Sequence, residues 1–331
     1  MNEAIPAVAE KMAQLTDSKR SITFYVVVFQ KGRGDLSSIN WQLFNKLRCE
    51  ICEKITSDPG NTRIDLWIDS PGGSAHFAYK IMLLLRSRCS FLRAVVPVFA
   101  KSAATLMVLG ADEIIMTPYA EVGPLDVQMP HPEQEDQHVS ALDITLALQE
   151  LAKNAISMVV RGGAVILSYT GLKRRETLSA MLQFAADFTK PVIEKLDPML
   201  IHRATNELAV ARRYASRLWS MRQNKSQMSK ERAEKLFERL VSDYPSHRFV
   251  ISPAELKELG LITKEPSDYQ DWQSLEKFHK FFEQTQDSYV GVFTKADLVP
   301  IINNTESCNE HQEHSFKDTS AQTQGSSGDT D

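Results

Sequence analysis

The chain contains few cysteines and no long uninterrupted apolar run. Only 4 of its 331 residues are cysteine, and their positions form no disulfide-like framework, which favours a reducing compartment. No run reaches the roughly 18 uncharged apolar residues that a membrane-spanning helix needs, and the first twenty residues show no signal-peptide pattern. These absences predict a soluble, cytoplasmic protein without a membrane span.

The chain also lacks an excess of positive charge. It has 38 Lys and Arg against 42 Asp and Glu, a formal net charge of -4, and no basic stripe with interleaved aromatic residues of the kind that binds nucleic acids. H-E-x-x-H, P-loop and complete G-x-G-x-x-G motifs are missing, and the pair Cys49 and Cys52 has no second pair to complete a zinc site. The sequence therefore predicts no nucleic-acid partner, no metal ion and no cofactor.

Apolar strand patterns alternate with helical patterns over the first third of the chain. The predicted strands are 22–29, 64–68, 94–99 and 113–116. Between them, the predicted helices are 40–57, 75–87 and 103–110. This alternation predicts an α/β fold in which the strands pair in parallel and the helices lie outside.

Helical patterns dominate the remainder. The further predicted helices are 141–160, 176–190, 206–222, 230–243 and 254–259, and a short strand is predicted at 249–251. The triplet Arg161-Gly162-Gly163 is expected to interrupt or bend the first of these helices. The segment 129–137 is polar, which predicts an exposed loop.

Composition divides the chain into four parts. Residues 1–20 form an N-terminal segment, and 21–265 form the main domain, with a helical insertion at about 162–243. Residues 266–301 are expected to form a C-terminal helical segment. The polar residues 302–331 are predicted to be a disordered tail.

Two strand-end turns carry the chemistry, namely Asp69-Ser70-Pro71-Gly72-Gly73-Ser74 and Ala100-Lys101-Ser102-Ala103-Ala104-Thr105. Ligand sites of parallel sheets lie at the carboxyl ends of strands. The first turn offers a glycine pair with free backbone N–H groups, and the second offers a serine. Acyl transfer needs such an oxyanion site and nucleophile. The alternatives are a plain Pro-Gly turn and a serine that only caps a helix.

Three stretches resemble the serine dehydrogenase proteinase family, whose relatives include Clp-type proteases and signal peptide peptidase A. They are LWIDSPGG at 66–73, residues 98–128 and residues 244–261. The resemblance implies a Clp/crotonase-like fold of repeated ββα units wound into a superhelix, with a helical C-terminal extension. It also implies a homo-oligomeric serine endopeptidase that hydrolyses peptide or protein substrates through an acyl-enzyme, and it leaves the need for a partner ATPase unknown.

The resemblance assigns the nucleophile and the oxyanion hole. Ser102 is the expected nucleophile. The backbone N–H groups of Gly73 and Ala103 are expected to hold the oxyanion, with Gly72 shaping the turn.

Two residues compete as the general base. In signal peptide peptidase A a lysine on a later helix serves this role, and Lys153 lies 51 residues after Ser102 on an apolar-faced helix; burial would lower its pKa. Clp-type proteases use a Ser-His-Asp triad, and Ser102, Asp126 and His247 could form one with the acid and the base exchanged in chain order. Lys101 is the weaker candidate because neighbouring side chains near a strand end point apart.

Two further functions fit the same residues. The fold could be retained as a scaffold or binding protein that has lost hydrolysis. It could also be a crotonase-like acyl-CoA enzyme that uses the oxyanion site on a thioester, although enolate chemistry needs no serine nucleophile.

Overall fold

The computed structural model describes residues 21–32, 34–56, 58–130, 138–223, 228–246 and 248–300. The predicted N-terminal segment and the predicted disordered tail lie outside these residues.

Strands and helices alternate along the described residues. The strands are β1 (Ile22–Phe29), β2 (Thr62–Asp69), β3 (Phe91–Val96), β4 (Phe99–Ala100), β5 (Glu113–Met116), β6 (Glu121–Val122), β7 (Gln128–Pro130), β8 (His138–Ser140), β9 (Thr263–Lys264) and β10 (Tyr289–Phe293). The helices are α1 (Trp41–Lys54), α2 (Ala75–Arg86), α3 (Ala103–Leu109), α4 (Ala141–Ser157), α5 (Gly163–Tyr169), α6 (Arg174–Ile193), α7 (Pro198–Ser220), α8 (Lys230–Ser242), α9 (Pro253–Glu258) and α10 (Trp272–Gln284).

The central feature is a six-stranded sheet with the order β10-β1-β2-β3-β5-β9. Strands β1, β2, β3, β5 and β9 pair in parallel, and β10 joins β1 in antiparallel fashion. The predicted α/β class with a parallel-rich sheet is thereby confirmed. The sheet is covered on both faces, which is why its strands read as continuous apolar runs.

Alternation along β2 divides the core into two layers. Ile64, Leu66 and Ile68 face the larger core, together with buried residues of α1, α2, α3, α7 and α8. Trp67 faces the smaller core, where it meets Phe278 of α10. Successive strand residues point to opposite faces, so one strand anchors both layers.

The C-terminal segment 266–301 is not only helical. It supplies β10 to the sheet edge as well as α10 to the second face. Tyr269 fastens it: its hydroxyl donates to Asp65 Oδ2 at 2.8 Å and accepts from Trp67 Nε1 at 2.8 Å. The sequence prediction missed β10 because a five-residue antiparallel strand far along the chain has no local partner.

The expected interruption or bend at Arg161-Gly162-Gly163 is a change of helix type and not a break in the helix. A π-helical turn at Met158–Gly162 carries the chain from α4 directly into α5. A Cβ on Gly162 would lie 2.5 Å from Met181 Cε, so this glycine permits close packing of α6 and does not end the helix.

Two predicted strands also differ. The run 94–99 is divided into β3 and β4 by the residues Pro97 and Val98, since proline lacks the N–H that a ladder needs. The predicted strand 249–251 is reduced to one bridge between Ile251 and Val122.

The segment 129–137 was expected to be exposed, but Met129 is buried, and residues 131–137 lie outside the described residues.

Residues 158–193, which we call the helical arm, expose many large apolar side chains. These are Val160, Val165, Tyr169, Leu172, Leu178, Leu182, Phe184, Phe188, Val192 and Ile193. The continuous helix Ala141–Tyr169 has the length and composition of a membrane-crossing helix, and its most apolar window is not buried in the structure.

A buried ion pair ties α2 to the loop before β5. Arg86 Nη1 lies 2.6 Å from Asp112 Oδ2, and Arg86 Nη2 lies 2.9 Å from Oδ1. We expect Arg86→Met to lower the free energy of unfolding by about 3–5 kcal/mol, because it leaves a buried carboxylate without its cation. Urea denaturation followed by circular dichroism measures this. The control Lys46→Met breaks an exposed pair with Glu50 and should cost at most about 0.5 kcal/mol; equal losses would contradict the prediction.

Candidate active site

Ser102 occupies a strained turn between β4 and α3. Its φ is 51° and its ψ is -117°, and it is the one non-glycine residue with positive φ among the described residues. Such a conformation costs about 1–3 kcal/mol and persists only where the surroundings enforce it. All residues of α3 are buried, so the helix that follows holds the turn in place.

The Ser102 side chain makes no capping hydrogen bond to α3. Its hydroxyl instead donates to the backbone oxygen of Asp126. The capping alternative for this serine is therefore wrong, and the strained turn presents the hydroxyl away from the helix backbone.

The glycine turn lies directly against the serine turn. A Cβ on Gly72, whose φ is +95°, would lie 2.3 Å from Lys101 O and 3.0 Å from Ser102 Cβ. On the other side, Ile39 N donates to Gly72 O at 2.7 Å, and Ser74 N donates to Ile39 O at 2.8 Å. Only glycine allows this close approach of two backbones.

Two amides near the serine are available. Within the described residues, neither Gly73 N nor Ala103 N donates a hydrogen bond. Ala103 is the first residue of α3, where helix geometry leaves N–H groups unpaired. Gly72 N, in contrast, donates to Ser70 Oγ at 3.0 Å. The amides of Gly73 and Ala103 are therefore unpaired within the described residues, whereas the Gly72 amide is used inside its own turn.

Asp126 contacts the serine through its main chain. Its side chain is buried, and Oδ1 accepts from Leu142 N at 2.9 Å, at the start of α4. The carboxylate thus stabilises the N-terminus of a helix, and the peptide oxygen receives the Ser102 hydroxyl.

The burial expected for Lys153 is wrong. Its side chain is 68% exposed and pairs with Glu150 at 2.8 Å. It follows Leu142 by eleven residues, so it lies about 16 Å farther along the helix, whereas Leu142 contacts Asp126.

Lys101 points away from the serine hydroxyl, as expected. Its Nζ lies 2.5 Å from Glu121 Oε1 and donates to Phe249 O at 3.3 Å. Ile251 exchanges two backbone hydrogen bonds of 3.0 Å with Val122. His247 lies outside the described residues.

An open cleft of about 890 Å³ begins at the glycine turn. Residues 38–40 and 71–76 form one side, and Val127 and Met129 form another.

A buried carboxylate–imidazole pair, which sequence reasoning missed, lies just before the glycine turn. His279 Nε2 is 2.6 Å from Asp69 Oδ2, and the His279 ring packs edge-on against Phe29 at 5.0 Å. Burial raises the pKa of Asp69. The residues 275, 278, 279 and 282 share one helix face, so periodicity could have predicted His279 as inward. Its partner Asp69 lies 210 residues earlier in the chain, so no local sequence pattern could have indicated that the two side chains pair.

Residues 20–167 match the sequence profile of the family described as "ClpP-like SDH-type serine proteinase". This range includes both turns and the first half of the described helices. The matched residues are similar to this family, and the match covers somewhat less than half of the chain. The predicted resemblance is confirmed for these residues.

Two proteins of Methanocaldococcus jannaschii are similar to this chain. The uncharacterized protein MJ0137 is 37% identical over 118 residues, which cover 33% of this chain and 41% of the relative. The uncharacterized protein MJ1495 is 34% identical over 119 residues, covering 33% of this chain and 40% of the relative. The chain thus spans about two fifths of the length of these relatives, and helices α6 to α10 lie outside the family match.

The contact between the two turns predicts that Gly72→Ala destabilises the protein. The added Cβ would meet backbone atoms of the serine turn, so the free energy of unfolding should fall by about 1–3 kcal/mol more than in Gly34→Ala. Gly34 is the matched control because it also has positive φ, +121°, but has no atom within 4 Å of an added Cβ. Urea titration of both variants measures the difference. Equal losses would mean that backbone strain alone matters at Gly72.

Proposed function

We propose that this ClpP-like chain is a cytoplasmic serine endopeptidase that cleaves peptide or protein substrates through an acyl-enzyme. The observation that carries the proposal is the strained Ser102 turn packed against Gly72. A backbone held in this conformation beside two unpaired amides has an evident use in acyl transfer and little use in a plain turn.

The chemistry follows from the positions of these groups. Ser102 Oγ attacks the carbonyl carbon of the peptide bond, and its proton goes to the general base. The amides of Gly73 and Ala103 donate to the oxyanion of the tetrahedral intermediate; one such donor contributes about 2.7–4 kcal/mol in other enzymes. The base returns the proton to the leaving amine, and water then hydrolyses the ester on Ser102.

We propose His247 as the general base and Asp126 as the acid of the triad. The support is indirect: Phe249 O contacts Lys101 Nζ, and Ile251 pairs with Val122, so the chain just after residue 247 approaches the serine turn. Lys153 is exposed and paired with Glu150, which makes it a poor base.

Labelling with a fluorophosphonate probe tests the nucleophile and the base together. Wild type should label, and Ser102→Ala should not, because the probe reacts only with an activated serine. His247→Ala should slow labelling by about 10²–10⁴-fold, the usual contribution of a general base.

Lys153→Ala is the matched control for the base. It should label at the wild-type rate, since it removes only an exposed ion pair. Fast labelling of His247→Ala with slow labelling of Lys153→Ala would reverse the assignment. A wild-type protein that never labels would contradict the peptidase and favour the non-catalytic scaffold.

We also propose that a second copy of this chain covers the helical arm. Its exposed apolar side chains are interspersed with Arg161, Asp187 and Lys190. Each charge near the centre of a bilayer costs about 2.5–3.5 kcal/mol, whereas a protein partner can pair with such charges. This mixture favours a protein partner over lipid.

Leu182→Glu tests the self-association. The exposed fraction of Leu182 is 54%, and a carboxylate there should dissociate the oligomer because its burial would be costly. Light scattering should give a multiple of the 37.3 kDa chain mass for wild type and a smaller mass for the variant. Gln273→Glu adds the same charge on α10 and should keep the wild-type mass. A monomeric wild type would contradict the proposal.

A further inference from the structure

Helix α7 forms a wall of the cleft that starts at the glycine turn. Glu207, Val210 and Tyr214 line the cleft, and their spacing places them on one face of the helix. Since α7 follows the family-matched residues 20–167, this wall is a feature of this chain and not of the matched segment.

The wall is held in a defined position. Tyr214 stacks on Tyr79 with ring centroids 4.2 Å apart and planes only 3° from parallel. Its hydroxyl lies 3.2 Å from His76 Nδ1. The buried faces of Ala211 and Ala215 attach α7 to the core. The cleft wall is therefore held by contacts within the protein itself.

The cleft lining has an apolar part and an acidic part. Ile39, Val127 and Met129 are buried and apolar, and Val210 is partly exposed beside them. Among the described residues of the lining, Glu207 is the carboxylate, and none of them is lysine or arginine.

The Glu207 carboxylate makes no ion pair or hydrogen bond within the described part of the chain. Asn40 is another polar residue of that lining, and both ends of its side-chain amide are already hydrogen-bonded. The amide accepts from Leu43 N at 2.9 Å and donates to Asp35 O at 2.7 Å. The carboxylate of Glu207 therefore remains available to a ligand that enters the cleft.

We propose that Glu207 selects substrates that carry a lysine or arginine next to an apolar residue. The cationic side chain pairs with the Glu207 carboxylate, and the apolar neighbour lies against Val210 and Met129. This inference deepens the proposed peptidase function and rests on it for its kinetic readout, but the selection itself is a property of binding.

The selection is tested with two matched sets of internally quenched peptides. In each set the peptides share an otherwise apolar sequence, and one position at a time is Lys, Gln or Glu. For wild type, kcat/KM should favour Lys over Glu by about tenfold at one position, because attraction to one peptide adds to repulsion of the other. Glu207→Gln should bring that ratio close to one, and Glu207→Lys should invert it.

Glu258→Gln is the control for net charge. Glu258 is exposed on α9, outside the cleft lining, and its loss should leave the wild-type ratio unchanged. A Lys-to-Glu ratio that is the same in wild type and Glu207→Gln would overturn the proposal. So would a ratio that falls equally in Glu258→Gln, since a general effect of charge would then explain it.

Binding to Ser102→Ala separates this proposal from the peptidase proposal. Fluorescence anisotropy of the same peptides should show the tenfold preference for Lys in Ser102→Ala and its loss in the double variant with Glu207→Gln. If wild type cleaves no peptide but this binding preference holds, the peptidase function fails and the selection stands. If no peptide binds, or if Lys and Glu peptides bind equally, the selection is wrong.

Discussion

The backbone pairing between Ser70 and Ala100 is the constraint on which the candidate site depends. Ser70 N donates to Phe99 O, and Lys101 N donates to Ser70 O, both at 3.0 Å. Strand β2 pairs with β3 as far as Trp67, and just beyond its end the chain meets β4. This change of partner brings the glycine turn and the serine turn together. Side chains alone could not hold two turns so close.

The second face of the sheet secures the same strand end from behind. Asp69 binds His279, and Ser70 Oγ donates to Gln30 at 2.5 Å while accepting from Gly72 N. Lys31 Nζ donates to the carbonyl oxygens of Phe282 and Glu283 at the end of α10. Asp69 and Ser70, which precede Pro71 and the glycine pair, are thereby held by hydrogen bonds to α10 and to Gln30.

Two surface features lie wholly or mostly beyond the residues that match the family profile. Helix α7 contributes buried residues to the core and an acidic wall to the cleft, while the helical arm adds exposed apolar surface. Both features lie on the surface, where they are accessible to binding partners.

The sequence by itself determined the α/β alternation, the two turns and the placement of Ser102 at the start of a helix, because apolar periodicity, glycine pairs and strand-end positions are local signals. Only the tertiary structure decided that Lys153 is exposed, that Gly162 continues a helix, that β10 completes the sheet and that His279 meets Asp69. Each of these depends on contacts between residues far apart in the chain. An apolar helix face predicts that another element packs against it, but only the tertiary structure shows whether an element of the same chain covers that face.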